Sequence, residues 1–130
     1  MKIHDKTILE ICGEAAHVIG LRKPITITWF YDSDLPEDRR LGSSDPIIGI
    51  NLYKTVAGRQ ISLNKDFCNQ ASLEDIIFLI TQEICHFKQM GHNNRFQNIW
   101  KCAIKYFENK YCIKLKPIKF KNYKKQLTRI

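Results

Sequence analysis

The sequence predicts an α+β fold with an N-terminal helix, a small three-stranded sheet, a central helix, a second C-terminal helix and a basic tail. Apolar residues recur at helical spacing before residue 20 and again between residues 73 and 107. Between these regions, short runs rich in β-branched and aromatic residues indicate strands. A chain of 130 residues is long enough for one domain with a modest core.

The first half of the chain alternates between clear elements and one long connection. The first helix begins near Asp5 and ends at Gly20, which is a typical C-terminal stop. Residues 32–46 are rich in Pro, Gly and Ser and are predicted to form a loop. Gly49 stands inside a strand, which indicates a bulge or a close backbone approach. The strands are predicted over residues 25–31, 47–56 and 59–63, and the last two form a hairpin.

The central helix carries the polar residues on which a functional interpretation depends. Ser72 can cap its first turn, and Gly91 is the predicted stop. Its apolar stripe is wide, so we expect the helix to be buried. Gln82 and His86 lie four residues apart and share one face, and Glu83 borders that face.

The spacing of these residues is that of the zinc-peptidase motif H-E-x-x-H, with Gln82 in place of the first His. A hydrolytic zinc site needs three protein ligands, an open position for water and a nearby base. His86 and His92, which follows the turn at Gly91, can supply two imidazoles. Glu83 is the candidate base that takes the proton of the water. The amide oxygen of Gln82 is only a weak, neutral ligand for zinc.

This stretch resembles the SprT-like and minigluzincin-type small zincin metallopeptidases. Their pattern is H-E-x-x-H, a turn that often contains Gly-His, and a Phe on the next helix. In this chain the pattern is Gln82-Glu83-x-x-His86-x5-His92-x3-Phe96. The resemblance covers residues 8–107 and implies a zincin-like minimal fold, with residues 1–108 as the metallopeptidase-like domain and residues 109–130 as a basic arm.

The resemblance also implies roles for individual residues. His86 and His92 are the expected zinc ligands, Glu83 the general base and Phe96 a packing residue. In the gluzincin branch a Glu on the next helix is the third ligand, for which Glu108 is the alternative here. A strand before the motif helix, within residues 47–63, is expected to be an edge strand that binds an extended peptide by β-addition. The expected substrate-binding residues are Ile61, Ser62 and Leu63.

The departure at Gln82 leaves two functions open. One is a zinc metallopeptidase-like hydrolase whose activity is weakened or lost, because even the loss of outer-shell partners lowers zinc affinity about 10–100-fold. The alternative is a catalytically inactive protein that binds peptides or DNA on the same fold.

The tail carries the basic character of the chain. The net charge is +8, and residues 109–130 contain no acidic residue, whereas the remainder has equal numbers of basic and acidic side chains. Tyr111, Phe120 and Tyr123 stand among the lysines and could stack on bases. The tail could instead be a solvated face, or an arm that docks as an extra strand and blocks the cleft. The lysines that could neutralise phosphates are Lys114, Lys116, Lys119, Lys121, Lys124 and Lys125.

The sequence favours a cytoplasmic protein without a membrane partner and leaves the oligomeric state open. No apolar run approaches the roughly 20 residues that span a bilayer. Asp5 and Glu10 interrupt any signal-peptide core. The five cysteines show no C-x-x-C pair, and Cys12, Cys85 and Cys102 are expected to be buried thiols.

Overall fold

The computed structural model describes residues 2–22, 25–55 and 58–124. The described helices are α1 (Asp5–Val18), α2 (Lys65–Gln70), α3 (Leu73–Cys85) and α4 (Asn94–Tyr111). The described strands are β1 (Ile25–Phe30), β2 (Gly49–Thr55) and β3 (Gly58–Asn64). The α+β class, the N-terminal helix, the small sheet and the two later helices are confirmed. α4 continues to Tyr111, three residues beyond the position where the sequence divides domain from arm.

The three strands form one sheet in the order β1-β3-β2. β2 and β3 pair antiparallel, which confirms the predicted hairpin, although residues 56–57 at its turn lie outside the described residues. β1 pairs parallel to β3, so Ile61 of the central strand faces Ile27 on one side and Asn51 on the other. A parallel pair needs a long connection, and residues 31–48 together with β2 supply it.

The core lies between the sheet and the helices α1 and α3. Ile8 and Ile11 of α1 and Ile76 and Ile80 of α3 are at most 1% exposed. Their apolar stripes face each other and the sheet, as helical spacing of 3 and 4 residues requires. The predicted burial of α3 is therefore confirmed. α4 adds Phe107 to this main core.

The ends of α3 differ in how well the sequence predicts them. The Ser72 side chain accepts a hydrogen bond from the Asp75 amide at 3.2 Å, which confirms the predicted cap. The predicted stop at Gly91 is wrong, because α3 ends at Cys85. The amides of Phe87 and Lys88 donate to carbonyls three residues back, which tightens the last turn and ends the helix early.

Helix α2 was not predicted, because six residues are too few to show a helical period. The Asn64 side chain caps it by accepting a bond from the Phe67 amide at 3.1 Å. Asn64 also donates from Nδ2 to the buried Asp32 carboxylate, at 3.3 Å. Asp32 accepts from the Leu41 amide at 3.0 Å, and so ties the loop before β2 to the end of β3.

The predictions about buried cysteines and about membrane-spanning helices can be compared with this fold. Cys12 and Cys85 are buried as expected. The expectation for Cys102 is wrong: it is exposed, because it lies on the solvent face of α4 next to the buried Ala103. Within the described part of the chain, no helix has both the length and the apolar character needed to cross a membrane.

Candidate peptide cleft and imidazole pair

The last turn of α3 packs against the first residue of β2. A Cβ atom added at Gly49 would lie 2.9 Å from Leu79 Cδ1 and 3.1 Å from Glu83 Cγ. Such distances are shorter than van der Waals contact, so a residue with a side chain would force Leu79 or Glu83 to shift. The close backbone approach predicted for Gly49 is therefore confirmed, and it fixes Glu83 beside the edge of the sheet.

The structure brings His86 and His92 together. His86 is the residue that follows α3, and its Nε2 atom lies 3.0 Å from Nε2 of His92. The other ring nitrogen, Nδ1 of His86, lies 3.2 Å from the carbonyl oxygen of Gln89. A carbonyl oxygen only accepts hydrogen bonds, so the proton belongs on Nδ1 and the Nε2 lone pair faces His92. This is the orientation that a metal-binding imidazole has when its second nitrogen is held by a carbonyl.

The ring of Phe96 packs against both imidazoles, which confirms it as a packing residue. Its ring is fully buried, and its centroid lies 4.5 Å from that of His86 and 4.7 Å from that of His92. The position of Phe96 is fixed by Asn93, whose side chain accepts a bond from the Phe96 amide at the start of α4. The two rings are thus held by the first turn of α4 as well as by the end of α3.

Burial shifts the protonation equilibria of two groups in this region. Burial raises the pKa of the Glu83 carboxyl to about 7, because an ionised carboxylate loses hydration. Burial also lowers the pKa of His86, and the neighbouring His92 adds to this effect, although the bond to Gln89 opposes it. Burial therefore favours the neutral imidazole of His86 and the protonated carboxyl of Glu83.

The donor set does not complete a catalytic zinc site. Within residues 2–22, 25–55 and 58–124, no three His, Cys, Asp or Glu side chains converge closely enough to hold a metal ion. Glu108, the alternative third ligand, is engaged elsewhere: its Oε2 accepts a hydrogen bond from the Leu115 amide at 2.8 Å. Two imidazoles and the neutral Gln82 amide do not fit the three-ligand requirement of a firmly held catalytic zinc.

A cleft of about 560 Å³ lies between the start of β2, the end of α3 and the arm. Ile47, Ile48 and Gly49 form one wall, and Gln82 and Glu83 form the other. Trp100 of α4 also lines the cleft, and its Nε1 donates to Thr81 Oγ1 at 3.2 Å. The cleft thus places the half-buried carboxyl group of Glu83 next to a strand edge.

Comparisons with known proteins agree with this architecture. The structure is similar to the crystal structure of the metallopeptidase zymogen of Pyrococcus abyssi abylysin, with a TM-score of 0.51 and 13% sequence identity. The similarity covers 83% of this chain and 98% of that one. The chain has a metallopeptidase-like fold. No protein-family model and no curated protein matches the sequence, so the narrower resemblance to SprT-like proteins stays a prediction.

Within this metallopeptidase-like fold, the predicted edge strand is in part wrong. Ile61, Ser62 and Leu63 lie in β3, the central strand, and each is paired with β1 on one side and β2 on the other. Their backbone groups face partner strands, so they cannot accept an added peptide strand. The edge strand that flanks the cleft is β2, which also lies within the predicted residues 47–63.

The basic arm folds back onto the domain instead of extending from it. Leu115 and Tyr123 are 8% and 7% exposed, and the Tyr123 hydroxyl donates to Asp75. The burial of Tyr123 removes it as a base-stacking residue, so that part of the nucleic-acid prediction is wrong. Lys125 lies outside the described residues. The lysines of the nucleic-acid prediction that are exposed are Lys114, Lys116, Lys119, Lys121 and Lys124.

The sequence predicts docking of the arm at the cleft edge as one alternative, but it does not identify which arm residues contact the cleft. Pro117, Ile118 and Phe120 of the arm line the cleft. No strand is formed by residues 112–124, so the arm does not extend the sheet as predicted. Pro117 interrupts the alternating pattern, because proline cannot donate a backbone hydrogen bond.

Proposed function

We propose that the chain is a peptide-binding protein on a metallopeptidase-like fold, and that it holds an extended peptide against the outer edge of β2. The observation that carries the proposal is the cleft that Gly49, the first residue of β2, lines together with Gln82 and Glu83 of α3. β2 is an edge strand, so its outer backbone groups have no partner strand within the described part of the sheet. Main-chain hydrogen bonds to such an edge bind peptides with little dependence on sequence.

The proposal does not include hydrolysis by the chain. Among the described residues, the two convergent imidazoles leave zinc with one protein ligand fewer than a catalytic site requires. We propose that His86 and His92 bind zinc weakly, with Gln82 as a poor third donor. On this proposal, an amide at residue 82 lets the metallopeptidase-like fold keep its cleft while it holds zinc only weakly.

Glu83 retains a role in this function as a hydrogen-bonding group. With a pKa of about 7, its carboxyl can donate a hydrogen bond to a peptide carbonyl when protonated and accept one from a peptide amide when ionised. Its place beside Gly49 puts it within the cleft wall. We therefore expect peptide affinity to change between pH 6 and pH 8.

The arm is a competitor for the same cleft. Ile118 and Phe120 line it, and the arm is anchored on both sides of this segment by Leu115 and Tyr123. A bound peptide therefore has to share the cleft with these side chains or displace them. Replacing Phe120 with Ser, which removes an apolar ring from the cleft, should increase peptide affinity.

The test is fluorescence anisotropy with a labelled eight-residue peptide of alternating valine and threonine. The control is the same peptide with the backbone amides of one edge methylated, which removes its ability to pair with a strand. We expect the unmodified peptide to bind and the methylated one to lose at least 10-fold in affinity. We expect Phe120→Ser to bind more tightly than the parent. Equal affinity for both peptides, or no binding by either protein, overturns the proposal.

A further inference from the structure

A second groove lies on the other side of Trp100, between α3, α4 and the arm. It has a volume of about 490 Å³. Its apolar floor is formed by Phe78 and Trp100, and Ile104, Leu115 and Pro117 continue it along α4 and the arm. The groove shares Phe78, Trp100 and Pro117 with the peptide cleft, but it runs along α4 from Gln97 to Asn109, whereas the cleft contacts α4 at Trp100.

Contacts within the protein hold the side chains of the groove floor in place. The Trp100 ring meets Phe78 edge to face with 5.0 Å between centroids, and its Nε1 is held by Thr81. The arm wall is fixed because the Leu115 amide donates to Glu108. A groove whose walls are held by ring contacts and hydrogen bonds binds with a small entropic loss, since little has to be ordered on binding.

One rim of the groove is positively charged. Lys101 and Lys105 line it, both are exposed, and they stand one helical turn apart on α4. None of the ion pairs formed by the described side chains includes either lysine. Residues one turn apart on a helix are about 5–6 Å apart at their Cβ atoms. The rim therefore presents two cations at the spacing at which a second helix presents two carboxylates.

We propose that this groove is a docking site for an acidic amphipathic helix of a partner protein. Apolar side chains of that helix would cover Trp100 and Ile104, and two carboxylates one turn apart would pair with Lys101 and Lys105. An amphipathic helix in an apolar groove is a common mode of peptide recognition. The proposal concerns a different surface from the strand edge of β2 and does not require a peptide in the cleft.

The lining favours a protein helix over a nucleic acid. Five of the lining side chains are apolar, and only two lysines border them. The carboxylate of Glu108 also lines the groove, where it would repel a phosphate backbone along the path away from Lys105. A partner helix can place an uncharged residue at that point, whereas a nucleic acid carries a charge at every step.

The probe is a synthetic 16-residue helical peptide with leucines on one face and two glutamates four residues apart beside them. A matched peptide carries glutamines in place of both glutamates. Binding is measured by anisotropy of the labelled peptide on the unmodified chain. It is measured independently by Trp100 emission in a Trp29→Phe variant, which leaves Trp100 as the single tryptophan. A thymidine oligonucleotide of similar length is titrated in parallel.

We expect the acidic peptide to bind at least 10-fold more tightly than its glutamine counterpart and to weaken as salt is added. Lys101→Glu and Lys105→Glu should each lower its affinity about 10-fold. Lys114→Glu, which makes the same charge change on an exposed arm residue outside the groove, should leave it unchanged. Equal binding of both peptides overturns the proposal. So does an equal effect of Lys114→Glu, or an oligonucleotide that binds while the acidic peptide does not.

Discussion

Replacing Gln82 with His should convert the imidazole pair into a site with three imidazole donors. His86 and His92 already place their Nε2 atoms 3.0 Å apart, and Gln82 precedes His86 by one helical turn. Even partners outside the first coordination shell change zinc affinity about 10–100-fold. An added ligand should therefore strengthen zinc binding by at least that factor, which corresponds to about 1.4–2.8 kcal/mol or more.

The gain is measurable as zinc-dependent stability. At a free zinc concentration 100 times its Kd, the variant should be stabilised by about 2.7 kcal/mol, provided that the unfolded chain binds no zinc. For a domain of this size that corresponds to a rise in Tm of roughly 10 °C. Isothermal titration calorimetry gives the affinity, and thermal unfolding with zinc or with chelator gives the stabilisation. The parent protein should show a much smaller zinc response at the same concentration.

Two further variants isolate the cause. Gln82→Asn keeps an amide but shortens it, so it should show no gain in zinc affinity. Adding His92→Ala to Gln82→His should remove most of the gain, because the third imidazole is lost. If Gln82→His binds zinc no better than the parent, residue 82 does not converge with the two imidazoles and our account of the site is wrong.

Three other changes test the packing around the cleft. Gly49→Ala should destabilise the fold by about 1–3 kcal/mol in urea unfolding, because the added Cβ would press on Leu79 and Glu83. An unchanged unfolding midpoint would contradict the close packing at Gly49. Glu83→Gln should stabilise the protein above pH 7 by up to about 3 kcal/mol and leave it unchanged below pH 4.5, because only the ionised carboxylate loses hydration on folding. A stability difference that does not depend on pH would show that burial of the charge is not the cause. Tyr123→Phe should lower the free energy of unfolding by about 1 kcal/mol, because the hydrogen bond to Asp75 is lost. The arm should then be cleaved faster in limited proteolysis. A cleavage rate equal to that of the parent would show that this bond does not hold the arm.

Local sequence patterns predicted most of the secondary-structure elements and the proximity of the two imidazoles. The apolar stripe of α3 and the cap at Ser72 are set by residues within a few positions of each other. His92 reaches His86 because only five residues separate them across a turn. The buried Phe96 below them follows from the same short stretch. These features could be predicted because the contacts concerned are local.

The features that were missed depend on contacts between distant parts of the chain. β3 is central because β1, more than 30 residues away, pairs with it in parallel, and no local signal decides on which side β1 adds. The arm is anchored by Tyr123 against Asp75 and Phe67, which the alternation of lysines conceals. Phosphate binding by the exposed lysines and a cytoplasmic location remain predictions.

The most direct test of the central claim is a cleavage assay on a bound peptide. The parent protein is incubated with the valine–threonine peptide and excess zinc, and the products are analysed by mass spectrometry. Glu83→Gln is assayed in parallel. Our account predicts that the peptide binds and is recovered intact from both proteins. Fragments that appear with the parent and zinc, and are absent with Glu83→Gln, would contradict it and establish the chain as an active metallopeptidase.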